Sequence, residues 1–357
     1  MEAISAYEVS KKYGSISALH GLNLQVSQGS IFACVGKEKS GKTTLIRLLA
    51  GLCRPTAGEC SLLGFSPAFE AEKLHGVTGT VLHTSRLYRE MTLSENLRFF
   101  ADINGVDQND ALDRVSFLLH RLDIWEGRDE KPNALPTDVL RRASLARALM
   151  HRPQVLLLDE PADGLDTEAA TSVQELLTYL ISQEGITVLL CTEDMKYAQG
   201  LGDEFGLLRE GSFLAKGDLV SLRQDSGVPY QAAFRFEEGE TPLAGFRLTE
   251  GLWKKEIPSE EELPKLISQA VNSGKRLYEA KLIKPSLEEI YTAYATGRVQ
   301  RIGDADEQGN KYDKYEESSE PAADISTEGF TDQTAAEAGN GEWQDYETGD
   351  PGEPEAP

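Results

Sequence analysis

The sequence predicts an α/β fold organised on a parallel sheet, and three observations carry that expectation. The apolar runs Val-Leu-Leu-Leu at 155–158 and Thr-Val-Leu-Leu-Cys at 187–191 are continuous, the pattern of strands buried on both faces. A helical pattern at 166–182 separates them. A third apolar run, at 30–35, leads through a glycine-containing turn into a helical pattern at 45–50. Strand, turn and helix in alternation are the signature of a sheet with helices packed on its faces.

The 357 residues suffice for one large domain with an addition, or for two to three domains. Apolar residues make up 40% and charged residues 27%, enough to build a sizeable core. The net charge of −23 argues against a free-standing nucleic-acid binder, so no nucleic-acid partner is expected. The acidity is uneven: residues 297–357 carry 17 acidic and 4 basic side chains, a net of −13, which leaves −10 for the first 296. Cys34, Cys53, Cys60 and Cys191 show no C-x-x-C or His/Cys metal spacing, and reduced thiols are expected. The first residues have neither the basic nor the apolar region of a signal peptide, and no apolar run is long enough to span a bilayer.

Composition divides the chain into residues 1–225, 226–297 and 298–357. The first zone holds the alternating strands and helices. The second reads as a small α+β unit of order ββ–β–α–β–α, with Ser259 and Ser286 each followed three residues later by Glu, as in capping boxes. Gly274 closes the first of its helices. It has too few His, Cys or paired carboxylates to suggest an active site of its own. The third zone, rich in Gly, Ser, Pro, Ala and acid, cannot offset ordering entropy and is expected to be disordered.

The chemistry concentrates in Gly36, Lys37, Glu38, Lys39, Ser40, Gly41, Lys42, Thr43 and Thr44, which fit G-x-x-x-x-G-K-[ST] between a strand and a helix. Backbone N–H groups of such a turn wrap phosphates, and the helix N-terminus adds partial positive charge. Lys42 is placed to reach the β- and γ-phosphates and Thr43 to ligate Mg²⁺, which makes ATP and Mg²⁺ the expected cofactors. The second signal is the run at 155–158 ending in Asp159 and Glu160, an apolar strand that delivers two carboxylates. Asp159 is the candidate Mg²⁺ ligand and Glu160 the candidate base that polarises the attacking water.

Further segments resemble the ATP-binding-cassette (ABC) transporter ATPases. Pro-Ala-Asp-Gly-Leu-Asp at 161–166 resembles the loop that trails the second motif in that family. Arg-Arg-Ala-Ser-Leu-Ala-Arg-Ala-Leu at 141–149 resembles the helix after its signature loop, and Thr-Leu-Ser-Glu-Asn-Leu at 92–97 the start of its helical subdomain. Ala-Gly-Leu-Cys-Arg-Pro-Thr-Ala-Gly-Glu at 50–59 resembles the segment after the phosphate-loop helix, and Tyr13 stands where the family stacks an aromatic on adenine. Lys-Pro-Ser-Leu-Glu-Glu-Ile-Tyr at 284–291 resembles the appendage of subunits serving drug- and multisubstrate-type export permeases. The resemblance covers residues 1 to about 225. It implies a P-loop core with an antiparallel β edge near the N-terminus and a helical insertion from about 85 to 150. It also implies a subunit on the cytoplasmic face of the cell membrane. Its partners would be a separate transmembrane permease and a second ABC ATPase subunit, identical or related.

Four positions depart from the family pattern. The signature L-S-G-G-Q is replaced after Leu135 by Pro136, Thr137, Asp138 and Val139, so a hydroxyl and an N–H are lost and a negative charge is introduced near a phosphate. His83 stands for the Q-loop glutamine, Glu193 for the switch histidine and Lys39 for a phosphate-loop glycine. These departures make impaired hydrolysis the expectation, and a non-hydrolysing regulatory subunit the alternative. A soluble cassette protein of translation or repair is disfavoured by the single phosphate loop and the lack of a coiled-coil or zinc insertion.

Overall fold

The computed structural model describes residues 1–83, 87–237 and 242–297; the tail expected to be disordered lies outside the described residues. The chain opens with β1 (Glu2–Tyr13) and β2 (Ile16–Ser27), followed by β3 (Ile31–Val35), α1 (Lys42–Leu49) and β4 (Ala57–Leu62). β1 pairs antiparallel with β2 on one side and β4 on the other. This three-stranded sheet is the antiparallel edge that the family resemblance implies. Its strands alternate, so Ile4, Ala6, Leu22 and Leu24 are buried while intervening residues reach solvent.

After α2 (Ala71–His75) and β5 (Thr78–Val81) come three helices, α3 (Leu93–Ile103), α4 (Gln108–Arg121) and α5 (Thr137–Leu149). Thr92 and Glu95 form a capping box at the start of α3. Then follow β6 (Val155–Asp159), α6 (Thr167–Glu184), β7 (Thr187–Thr192), α7 (Met195–Gln199), β8 (Glu204–Arg209) and β9 (Ser212–Gly217). The six strands form one sheet of order β5-β6-β7-β3-β8-β9, parallel throughout except for the last pair. Every residue of β3, β6 and β7 is buried, as their unbroken apolar runs require.

The pleat divides those strands between two cores. Ile31, Ala33 and Val35 face the cluster built with α3–α6, whereas Phe32 and Cys34 face α1 and the antiparallel sheet. The central sheet is therefore a middle layer, and α1 is clamped between it and the antiparallel sheet. The four cysteines are free.

After α8 (Leu219–Ser226), β10 (Tyr230–Phe236), β11 (Arg247–Thr249), β12 (Leu252–Ile257) and β13 (Leu277–Ile283) make a second antiparallel sheet, of order β11-β12-β10-β13. α9 (Glu262–Asn272) packs on it around Phe234, Phe246, Leu266 and Ala270. The expected capping box at Ser259 is not made. α9 starts after Glu261 without a side-chain cap, because the carbonyl of Ser259 already accepts the Glu262 N–H (3.3 Å). The box at Ser286 is made and opens α10 (Leu287–Ala295). α10 returns to the main core: Leu287, Ile290, Tyr291 and Tyr294 are buried there. Leu287 N–H donates to Gln199 Oε1 (2.7 Å) and Arg223 Nε to the Pro285 carbonyl (2.8 Å).

Candidate functional site

Strand register brings the functional residues together. Val35 lies opposite Thr192, and Asp159 opposite Cys191, so β3, β7 and β6 deliver their carboxyl ends to one crevice. Ligands of open α/β sheets bind at such ends. The cleft there has a volume of about 930 Å³ and is lined by the loop at 38–44 and the carboxyl ends of β6 and β7.

The loop at 36–41 depends on two glycines. A Cβ on Gly36 would lie 2.2 Å from the Leu208 carbonyl, and one on Gly41 2.7 Å from the Ala18 carbonyl. Gly41 also adopts φ +112°, which side chains rarely allow. Lys39 adopts φ +63° with a side chain in place, at a cost of about 1–2 kcal/mol. Gly41 caps α1 and has no side chain to satisfy the first-turn N–H groups, which leaves that end suited to an anion.

Lys42 is buried, and its ammonium donates to the Gly36 carbonyl (2.7 Å) and the Lys37 carbonyl (3.1 Å). Its remaining side faces Glu193 Oε1 at 3.3 Å and Glu160 Oε1 at 3.4 Å. Glu160, at φ +50°, is held by the Thr192 hydroxyl (2.8 Å) and the Glu193 N–H (3.1 Å), both donating to Oε2. Burial pushes its pKa up, against the opposing pull of those donors and of Lys42. Asp159 is 1% exposed, and neither of its oxygens accepts a hydrogen bond. Burial raises its pKa too, opposed mainly by the neighbouring Thr43 hydroxyl and Lys42.

Two side chains not assigned a role from the sequence support this arrangement. Arg141 of α5 donates to the Glu160 carbonyl (2.9 Å) and pairs with Asp163 (3.1 Å), tying α5 to the end of β6. Thr192 orients Glu160. His83 faces Asp163, Nδ1 to Oδ2 3.8 Å. Asp166 caps α6 by accepting from the Ala169 N–H (2.8 Å). Asp138, read from the sequence as a charge facing a phosphate, pairs within its own helix with Arg142 at 2.7 Å. Pro136 caps α5 and, lacking a polar side chain, satisfies no first-turn N–H. Tyr13 ends β1 and is not among the residues that line the cleft: its hydroxyl is 3.7 Å from Cys53 Sγ and the Lys11 ammonium lies 4.9 Å over its ring.

A helix end open to an anion, a buried lysine beside it and a buried carboxylate with two unpartnered oxygens fit a polyphosphate carried with a divalent cation. The fold is that of the P-loop nucleoside triphosphatases.

The family can be stated more closely. A family model described as ABC transporter matches residues 19–163. The bacitracin transport ATP-binding protein BcrA of Bacillus licheniformis is 30% identical over 59% of this chain and 68% of its own length. The daunorubicin resistance ATP-binding protein DrrA3 of Streptomyces coeruleorubidus is 28% identical over 85% of this chain and 98% of its own. A probable sulfate/thiosulfate import ATP-binding protein of Chlorella vulgaris is 34% identical over 60% and 90%. The solved structure of an ATP-binding subunit of an ABC transporter superposes with TM-score 0.59 at 26% identity, over 62% of this chain and 92% of that one. This chain belongs to the ABC transporter ATP-binding family. Among the described residues no helix is long and apolar enough to cross a membrane.

Proposed function

We propose that this chain is the ATP-binding subunit that drives a separate membrane permease of the export type, and that it hydrolyses ATP slowly. The observation that carries the reading is the convergence of the Lys42 ammonium, the unpartnered Asp159 carboxylate and Glu160 at the mouth of one phosphate loop. In this reading the loop from Gly36 to Thr44, including Lys37, Glu38, Lys39 and Ser40, binds the phosphates. Thr43 and Asp159 hold Mg²⁺, and Tyr13 stacks on the base. Bound there, Mg²⁺ supplies charge neutralisation on the β- and γ-phosphate oxygens. Glu160, fixed by Thr192 and the Glu193 N–H, orients the attacking water and accepts its proton.

The export type is supported by the match to a daunorubicin resistance ATP-binding protein, which covers 85% of this chain. The subunit would sit on the cytoplasmic face of the membrane through its permease and dimerise with an identical or related ATPase. Slow turnover is supported by Pro136, Asp138 and Glu193, which replace groups that bind phosphate in the family. One lost phosphate contact typically costs about 10²–10³ in rate. Calorimetry with MgATP on the full chain tests the binding half: Lys42→Ala should weaken affinity strongly, and equal affinity in the two proteins would overturn the assignment. Steady-state phosphate release tests the other half, and turnover comparable to that of an intact cassette would refute slow hydrolysis.

A further inference from the structure

We propose that Arg141 is a positioning residue for hydrolysis: its guanidinium clasps the turn at 160–163 and so fixes where Glu160 presents its carboxylate. This rests on the reading of Glu160 as the base and adds the side chain, from another part of the fold, that holds the base in place.

Glu160 needs holding. It adopts φ +50°, a left-handed conformation that a residue with a side chain keeps only where its surroundings impose it. Its carboxylate is tethered at one oxygen: Oε2 accepts from the Thr192 hydroxyl (2.8 Å) and the Glu193 N–H (3.1 Å). No hydrogen bond of good geometry reaches Oε1, which lies 3.4 Å from the Lys42 ammonium. Oε1 is thus the oxygen with an acceptor position to spare, and its place depends on the backbone that carries it. That backbone is held at two points. The Glu160 N–H donates to the Cys191 carbonyl of β7 (2.8 Å), which registers it with the sheet. The Glu160 carbonyl accepts from Arg141 Nη1 (2.9 Å).

The same guanidinium closes the turn that follows. The Asp163 N–H reaches back to the Glu160 carbonyl at 3.3 Å, a long bond for a four-residue turn. Arg141 reinforces that turn at both ends. Nη1 donates to the carbonyl of its first residue, and Nη2 pairs with the carboxylate of its fourth, 3.1 Å from Asp163 Oδ2. A planar fork suits two such acceptors, whereas a single ammonium cannot serve both in the same geometry. The Arg141 side chain is 18% exposed, so little water competes for its donors. Its own footing is firm. The next residue of α5, Arg142, is buried and donates to the Leu122 and Asp123 carbonyls at the end of α4 (2.8 and 3.2 Å). Two adjacent arginines thus fasten α5 to α4 on one side and to the base on the other. A backbone displacement at 160 carries Oε1 with it, and a misplacement of about 1 Å can cost on the order of a hundredfold in rate.

The experiment measures phosphate release in a single turnover, with the full chain in excess over MgATP, and MgATP affinity by calorimetry. The proteins are wild type, Arg141→Met, Arg141→Lys and Asp163→Asn. Arg141→Met keeps an apolar stem and loses the donors; it should slow release by about tenfold or more and change MgATP affinity by less than about threefold. Arg141→Lys, which keeps the charge and can serve one acceptor, should recover part of the loss. Asp163→Asn leaves the carbonyl arm of the clasp intact and should slow release less than Arg141→Met. Release from Arg141→Met within about threefold of wild type overturns this inference and leaves Glu160 as the base. Equal losses of rate and affinity in that variant also overturn it, since Arg141 would then serve binding. Should Arg141→Met not fold, Arg141→Lys decides: release at the wild-type rate would show that the two-armed clasp is not needed. Wild type that binds MgATP and releases no phosphate overturns the hydrolysis reading itself, and this inference with it.

Discussion

Asp159→Asn should make the ligand-free protein more stable while it weakens Mg²⁺-dependent nucleotide binding. Asp159 is 1% exposed, and no hydrogen bond of good geometry reaches either oxygen; it is chiefly the neighbouring Thr43 hydroxyl and the Lys42 charge that oppose its burial. An unsatisfied buried acceptor costs about 1–3 kcal/mol, and more when charged, of which the nearby Thr43 and Lys42 return a part. Asparagine removes the charge but buries an unpaired amide, which returns about 1 kcal/mol. The net gain is then on the order of 1 kcal/mol, a shift of a degree or two in the melting temperature of a chain this size.

The pH dependence gives an independent check. Burial raises the Asp159 pKa above its unfolded value. A carboxylate shifted that way binds more protons folded than unfolded between the two values. Its stabilising contribution is complete below the ordinary carboxylate pKa of about 3.9 and is lost as pH rises through the raised one. Wild type should therefore lose stability, relative to Asp159→Asn, as pH rises through that window. Differential scanning calorimetry of both proteins from about pH 3 to about pH 8, which brackets about 3.9 and the region above it, supplies the comparison. A variant less stable than wild type throughout would refute the reasoning, because it would mean that the native carboxylate is already well compensated.

Three further outcomes are expected. Converting Pro136–Val139 to Ser, Gly, Gly and Gln together with Glu193→His should raise phosphate release more than either change alone, since the two defects lie at different parts of the site; wild-type turnover as fast as that of the combined variant would discount them. Arg114→Met should destabilise by about 3 kcal/mol by chemical denaturation, because it removes a buried bidentate partner of Glu184 (2.6 and 3.0 Å); a change under about 1 kcal/mol, the usual worth of an exposed pair, would show that the pair is effectively solvated. Ser286→Ala should cost about 1 kcal/mol through the lost capping box, whereas Ser259→Ala should be nearly silent in the same denaturation assay.

The central strands were legible because burial on both faces leaves an almost unbroken apolar run: β6 is apolar up to Asp159, and β7 from Val188 to Cys191. The phosphate loop was legible because its function is local, one strand, one turn and one helix. The Lys42–Glu193 pair was not, because it joins residues 151 positions apart through the adjacency of β3 and β7. Glu193 read as a group that repels phosphate; its pairing with Lys42 came only with the fold. The Arg141 link to Glu160 and Asp163 was hidden for the same reason. The Asp138–Arg142 pair, by contrast, follows the i,i+4 rule for helices and could have been read from spacing alone. The Ser259 box is absent because the Glu262 N–H goes to the Ser259 carbonyl, a choice that sequence pattern does not show.

The return of α10 to the core changes the mechanics of the C-terminal sheet. A module joined through one linker can swivel, and a load on it dissipates in the hinge. Here the sheet is fastened at both ends, by α8 on entry and by α10 on exit. The exit fastening grips Gln199 at the end of α7, the short helix that begins two residues after Glu193. The appended sheet is therefore tied by a direct hydrogen bond, and not by chain connectivity alone, to the helix that follows the residue standing against Lys42.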